Sequence, residues 1–331
     1  MSNRYDLEKI GKIELHLHLD CSLSYEVVSS LLPSVTRDEY VSDYIAPAKC
    51  TNLADFLARA PKGVQLLQTA VALRLATEDL FRQLAADGVI YAELRFAPLL
   101  HLDQGLTSRE VVETVDSAAE RMIRETGIEA RLILCTLRHF SEAQSMETVR
   151  LVEQFRGSRV VALDLAGDEA GCPIDAHIAA YEYAREYHLC RTAHAGEGSG
   201  PASVWETIKL LEPTRIGHGT RSSEDPELVD FLRRKRIHLE LCPSSNVQII
   251  PSIGTMASHP IDQLYRAGVS LNINTDSRML TPTTLTAEYE KLRDVFGWGR
   301  EEFLQTNLMA IEAAFVEDTV KQRIKARLVG K

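Results

Sequence analysis

Short apolar runs recur along the chain at 12–20, 89–97, 130–137, 160–167, 191–197, 215–219, 238–242 and 270–276. Each has the length and make-up of a strand buried on both faces. Amphipathic stretches with helical spacing lie between them, among them 108–126, 146–155, 175–187 and 202–211. Strands alternating with helices in this way predict a parallel sheet covered by helices. Eight such units in one chain predict an α/β fold closed into a (β/α)8 barrel of the TIM type. The alternative, an open doubly wound sheet, should carry a G-x-G-x-x-G phosphate loop after its first strand, and none follows Asp20. No low-complexity segment, Pro/Gly-rich linker or block of like charge divides the chain, so one barrel domain over residues 1–331 is expected.

One interval is too long for a single crossover helix. Between Asp20 and Val89 the pattern gives helices at 52–60 and 63–87. Segments that follow barrel strands emerge at the catalytic mouth. The insertion at 35–80 is therefore expected to form lid helices over an active site.

Polar residues at the strand ends turn the architecture toward chemistry. Buried strands should be apolar, yet the first ends His16-Leu17-His18-Leu19-Asp20 and the fifth ends His194-Ala195-Gly196-Glu197. The sixth carries His218 between two glycines, and the eighth ends Asn274-Thr275-Asp276. Side chains alternate along a strand, so His16, His18 and Asp20 share one face. His16 or His218 alone is explained equally well as a hydrogen-bonded interior residue. As a set they stand where barrel enzymes keep their reactive groups. Three histidines and an aspartate there form a nitrogen-rich group suited to zinc, with one position left for water. The other six histidines, His101, His139, His177, His188, His238 and His259, lie in loops, in helices or at a strand's start. They are expected to be structural, His101 being the first exception to consider.

Charge and composition narrow the partners. A formal net charge of −10 opposes a nucleic-acid partner and favours a substrate with little negative charge. No apolar run approaches the roughly 20 residues that span a bilayer, and the first strand starts too early to leave room for a signal peptide. A cytoplasmic protein with no membrane partner is expected; nothing in the sequence sets its oligomeric state. The six cysteines lack any C-x-x-C spacing and read as free thiols.

Six segments in order, His16–Asp20, Asp164–Glu169, His194–Glu197, Ile216–Gly219, Leu241–Asn246 and Asn274–Asp276, make the chain resemble the adenosine deaminase family of the amidohydrolase superfamily. The resemblance implies that His16, His18, His194 and Asp276 hold zinc and that Glu197 is the proton-shuttling acid and base. It implies that His218 orients the attacking water, that the Gly167 N–H holds a purine ring nitrogen and that Asp20 accepts a hydrogen bond from the ribose. Binuclear amidohydrolases commonly bridge their metals with a lysine on the fourth strand; none occurs at 160–167, so one Zn2+ per chain is expected.

The departures from the family pattern fall on the pocket. Ser277 stands where a second aspartate usually contacts purine N7, and its hydroxyl can still donate there. Cys21 replaces a glycine, and Ala60 and Ala97 replace larger or polar residues of some members. The implied activity is hydrolytic deamination of adenosine and 2′-deoxyadenosine, a purine nucleoside being the partner. The alternatives are another 6-amino compound (adenine, a methylated adenosine, aminodeoxyfutalosine), a barrel hydrolase for esters or amides, and a catalytically silent nucleoside-binding barrel.

Overall fold

The structure, a computed structural model, describes residues 7–330. Its strands are β1 (Lys12–His18), β2 (Val89–Phe96), β3 (Glu129–Leu137), β4 (Val160–Ala166), β5 (Cys190–Ala195), β6 (Arg215–His218), β7 (His238–Leu241) and β8 (Leu271–Ile273). They pair in parallel and in chain order, the arrangement the apolar runs predict. The ring closes at its C-terminal end. There the His18 N–H donates to the Asp276 carbonyl at 2.7 Å and the Asp276 N–H to that of His16 at 3.1 Å. Below this, Asn274 Oδ1 accepts from the N–H of Leu15 and of His16.

β8 is shorter than the run at 270–276. Residues Asn274 to Asp276 lie beyond its last ladder pair, and Asp276 takes a left-handed φ of 65°, which no strand can continue through.

A register shift between Glu14 and Leu17 breaks the alternation of β1. Ile13 and Leu15 pack with Tyr91 against Ala310, Ile311 and Ile324 of the C-terminal helices Arg300–Ala313 and Asp318–Leu328. Each such burial contributes about 1.5–3 kcal/mol. Glu14 meets Arg278, whereas His16, within the shift, meets Glu240. At the level of Arg95 and Arg215 the barrel interior is charged rather than apolar. Arg95 donates to Asp164 at 2.9 Å and to Glu240 at 2.6 Å, while Arg215 holds Glu240 and Glu93, each at 2.7 Å. Buried charges persist only when paired and hydrogen-bonded, as these are.

Five helices fill the β1–β2 connection: Tyr25–Leu31, Arg37–Asp43, Leu53–Leu57, Ala60–Leu66 and Ala70–Ala86. The pattern at 63–87 is broken in two, because Thr69 caps the second piece by accepting the Ala72 N–H. Just before Leu53–Leu57 the chain is strapped down. Lys49 Nζ donates to the carbonyls of Val247, Ile250 and Ile253, and the Cys50 N–H to that of Gln248. Among the described residues no helix is long and apolar enough to cross a membrane.

Candidate metal centre and substrate cavity

The ends of β1, β5, β6 and β8 bring the sequence-predicted residues to one point. The Nε2 atoms of His18 and His194 face each other at 3.2 Å. Asp276 Oδ1 lies 3.4 Å from His16 Nε2 and 3.6 Å from His18 Nε2. Behind them, His16 Nδ1 meets Glu240 Oε2 at 2.8 Å and His194 Nδ1 meets Asp164 Oδ1 at 3.2 Å. A neutral imidazole donating from Nδ1 keeps a lone pair on Nε2. Those of His16 and His194 therefore converge with a carboxylate oxygen and a third imidazole, and His16 Nε2 is buried without any hydrogen-bond partner. Converging acceptors repel one another unless a cation lies between them, and this donor set fits zinc.

Cys242 Sγ also lies within 4.8 Å of ligand atoms of His16, His218 and Asp276. Burial and the Asp276 charge push its thiol well above the usual range, and it donates to the Glu240 carbonyl. A neutral thiol is a poor ligand, so the N/O set is the better one.

Backbone geometry aims the side chains. His218 and Asp276 both have left-handed φ, 59° and 65°, a conformation that costs about 1–3 kcal/mol and clusters at functional sites. Between them Gly217 is needed for closeness. A Cβ there would lie 2.9 Å from His16 Cε1 and 3.2 Å from His194 Cγ, so a larger residue would drive the rings apart. Ser245 Oγ donates to Asp276 Oδ2 at 2.6 Å and fixes its carboxylate.

Glu197 sits beside this cluster, 5% exposed. Its turn is organised by Glu169, whose carboxylate accepts the N–H groups of Gly196, Glu197 and Ser199. Burial, reinforced by the charges of Asp276 and Glu169, pushes the Glu197 carboxyl well above the usual range. His218 Nδ1 lies 3.3 Å from Glu197 Oε1 and accepts from Asn246 Nδ2 at 3.0 Å. Burial holds His218 well below the usual histidine range. A neutral ring accepting at Nδ1 presents an Nε2–H donor.

The remaining predicted residues line the space in front. Gly167, with φ of 100°, and Ser277 both border the cavity over the cluster, as do Cys21, Leu53, Phe56 and Leu57. Ser277 Oγ is buried and has no hydrogen-bond partner. Asp20 accepts the Ala97 N–H at 3.2 Å, and burial pushes its carboxyl up to about 6. Buried His101 lies 3.9 Å from Asp20 Oδ2. The sequence reading misses Glu240, and gives no role to Asp164, Glu169, Ser245 or Asn246 within its motifs. For Glu240 and Asp164 the signal is a charged residue inside a run that should be apolar.

Comparison with known proteins follows the same line. The family model described as adenosine deaminase matches residues 11–331. An adenosine deaminase of Mycobacterium marinum is 37% identical, covering 94% of this chain and 91% of its own length. An adenine deaminase structure from Arthrobacter aurescens superposes with a TM-score of 0.89 at 26% identity, over 97% of this chain and 98% of that one. A zinc-bound amidohydrolase from Burkholderia ambifaria superposes with a TM-score of 0.90 at 24% identity, over 99% of this chain and 92% of that one, and bears on the fold.

Proposed function

This chain belongs to the adenosine deaminase family and is an aminohydrolase, and from that premise we propose that its strand-end residues deaminate adenosine and 2′-deoxyadenosine with one zinc per chain. The observation that carries the reading is the convergence of His16, His18, His194 and Asp276 beside a buried Glu197 whose carboxyl is pushed above the usual range.

His16, His18, His194 and Asp276 would hold the metal. When bound there, zinc supplies a water whose pKa is lowered from 15.7 to about 7. The chain's own groups do the rest. Addition of water at purine C6 moves an electron pair onto N1, and Glu197, carrying its proton, delivers it to that nitrogen. The same carboxylate then takes the two protons of the added water in turn, passing one to the departing amino group and keeping the other, so that ammonia and inosine form and Glu197 is again protonated. Asn246 keeps the Nε2–H of His218 as a donor to the attacking oxygen. The Gly167 N–H holds a ring nitrogen, Asp20 accepts from a ribose hydroxyl, and His18 borders the substrate as well as the metal.

An ammonia-release screen over adenosine, 2′-deoxyadenosine, adenine and aminodeoxyfutalosine tests the reading. Adenosine and 2′-deoxyadenosine should lead; release from adenine alone would reassign the substrate.

Ser277 is proposed to donate to purine N7, which explains a buried hydroxyl left without a partner. One neutral hydrogen bond contributes about 0.5–1.5 kcal/mol, or about 2- to 13-fold in kcat/KM. Ser277→Ala should lose that much with adenosine and least with 7-deazaadenosine, which has no N7. Equal losses on both substrates would place the hydroxyl elsewhere.

The same proposal takes residues 1–331 as one domain and the insertion at 35–80 as a lid. Leu53 and Phe56 are already buried, while Leu57 is half-buried over the cavity. Ligand contact should therefore act mainly through Leu57. Amides of 53–66 should exchange more slowly with a bound ground-state analogue than without it. Identical exchange in both states removes the lid.

A further inference from the structure

Arg138, the first residue after β3, is 4% exposed, yet no carboxylate among the described residues forms an ion pair with it. Glu169 acts on its charge only from beyond ion-pair distance. The guanidinium donates to main-chain carbonyls alone, from Nη2 to His194 at 3.1 Å and from Nη1 to Cys172 at 3.3 Å, and its Nε has no partner. A buried cation without a counter-charge is costly, so its retention calls for a reason. Contact with substrate is not the reason. Leu137 and His139 on either side line the cavity, and Arg138 does not.

What it joins explains it better. The Arg138 N–H donates to the Ala166 carbonyl at 2.8 Å. That carbonyl belongs to the same peptide group as the Gly167 N–H, and in a trans peptide the two point in opposite directions. The bond therefore aims the Gly167 N–H away from Arg138 and polarises it as a donor. The approach is close: a Cβ at Gly167 would lie 3.3 Å from the Arg138 nitrogen. The Arg138 carbonyl is held as well. Thr136 Oγ1 lies 2.7 Å from Ser145 Oγ, which lies 2.5 Å from His177 Nδ1, and His177 Nε2 lies 3.2 Å from that carbonyl. Burial lowers His177 and favours its neutral ring, which accepts from Ser145 at Nδ1 and donates to Arg138 from Nε2.

We infer that Arg138 is a positioning residue joining the two halves of the site. Its main chain orients the peptide that holds the purine, and its side chain orients the carbonyl of His194, a proposed metal ligand. One residue thereby sets the distance between purine C6 and the attacking water. The inference rests on the proposed placement of the purine at Gly167 and of the metal at His194. Replacing the side chain leaves the main-chain N–H in place, so the purine should still bind while the metal half shifts against it. A misplacement of about 1 Å can cost about 10²-fold in rate. Its effect falls on the transition state rather than on ground-state binding.

The test uses the zinc-saturated protein with Arg138→Met, which keeps the side chain's bulk without its donors, and Arg138→Lys, which keeps the charge and can reach one carbonyl. With adenosine, kcat should fall about 10–100-fold in Arg138→Met and less in Arg138→Lys, while KM stays within about threefold. Binding gives a readout independent of turnover. Affinity for 1-deazaadenosine, a ground-state analogue without N1, should stay within about threefold of the native value. Affinity for an analogue bearing a hydroxyl on a tetrahedral C6 should fall by the same factor as kcat. A purely structural role would instead lower the melting temperature and the number of competent sites, and leave both affinities unchanged at the sites that remain. That outcome, or equal weakening of both analogues, or kcat within about threefold of native in folded Arg138→Met, would overturn the inference. Adenosine turnover by the native protein would leave the family reading standing in each case. Should Arg138→Met fail to fold, the same comparisons and limits apply to Arg138→Lys. A native protein that releases no ammonia from adenosine would overturn both.

Discussion

Glu197→Gln should leave a folded, zinc-loaded protein with about 10²–10⁴-fold less turnover, the usual contribution of a general acid and base. The substitution keeps the side chain's length and its carbonyl-type oxygen. The backbone of residue 197 still donates to Glu169, so the turn after β5 should hold. Asn246 can still donate to Oε1, as it does now at 3.4 Å. What is lost is the proton. Burial and two neighbouring carboxylates push the Glu197 carboxyl above the usual range and so favour its protonated form, and an amide can neither deliver a proton to N1 nor accept the next one. Kinetics should be read alongside zinc content and thermal melting. Turnover within about threefold of the native enzyme would remove Glu197 from the proton path.

Opening the ligand set should be harsher still. His194→Ala or Asp276→Ala should drop zinc from about one per chain toward zero and take turnover to background, because each removes one of four donors. Ser245→Ala provides the graded comparison. It removes the hydroxyl that fixes Asp276 Oδ2, without touching a ligand. Loss of such a support typically costs about 10–100-fold in metal affinity or activity. Metal analysis across the three variants therefore separates holding from steering. Zinc near two per chain in the active native protein would contradict the mononuclear site.

The barrel was legible because eight buried strands leave eight apolar runs, and because helices between them force a parallel order. Helix assignment fared less evenly. The pattern assigns none past 211, although Pro226–Lys235 carries a strong start signal, Asp225 capping the N–H groups of Glu227 and Leu228 just before the proline. The proposed ligand residues stood out as histidines and an aspartate ending apolar strands. Their supports did not. Arg95 and Glu240 are 145 residues apart, and only barrel closure reveals that one pairs with the other and that Glu240 in turn carries His16. Glu93 and Arg95 on β2 give the readable trace, two opposite charges at alternate positions of a buried strand. The left-handed turns at His218 and Asp276 leave no such trace, since neither residue type demands that conformation.

The most direct test follows adenosine, inosine and ammonia together in one reaction of the zinc-loaded protein, then repeats it after chelation and after zinc is restored. The account predicts one inosine and one ammonia for each adenosine consumed, loss of both on chelation and recovery with zinc. Adenosine left intact by the loaded protein, or deaminated equally after the metal is stripped, would contradict it.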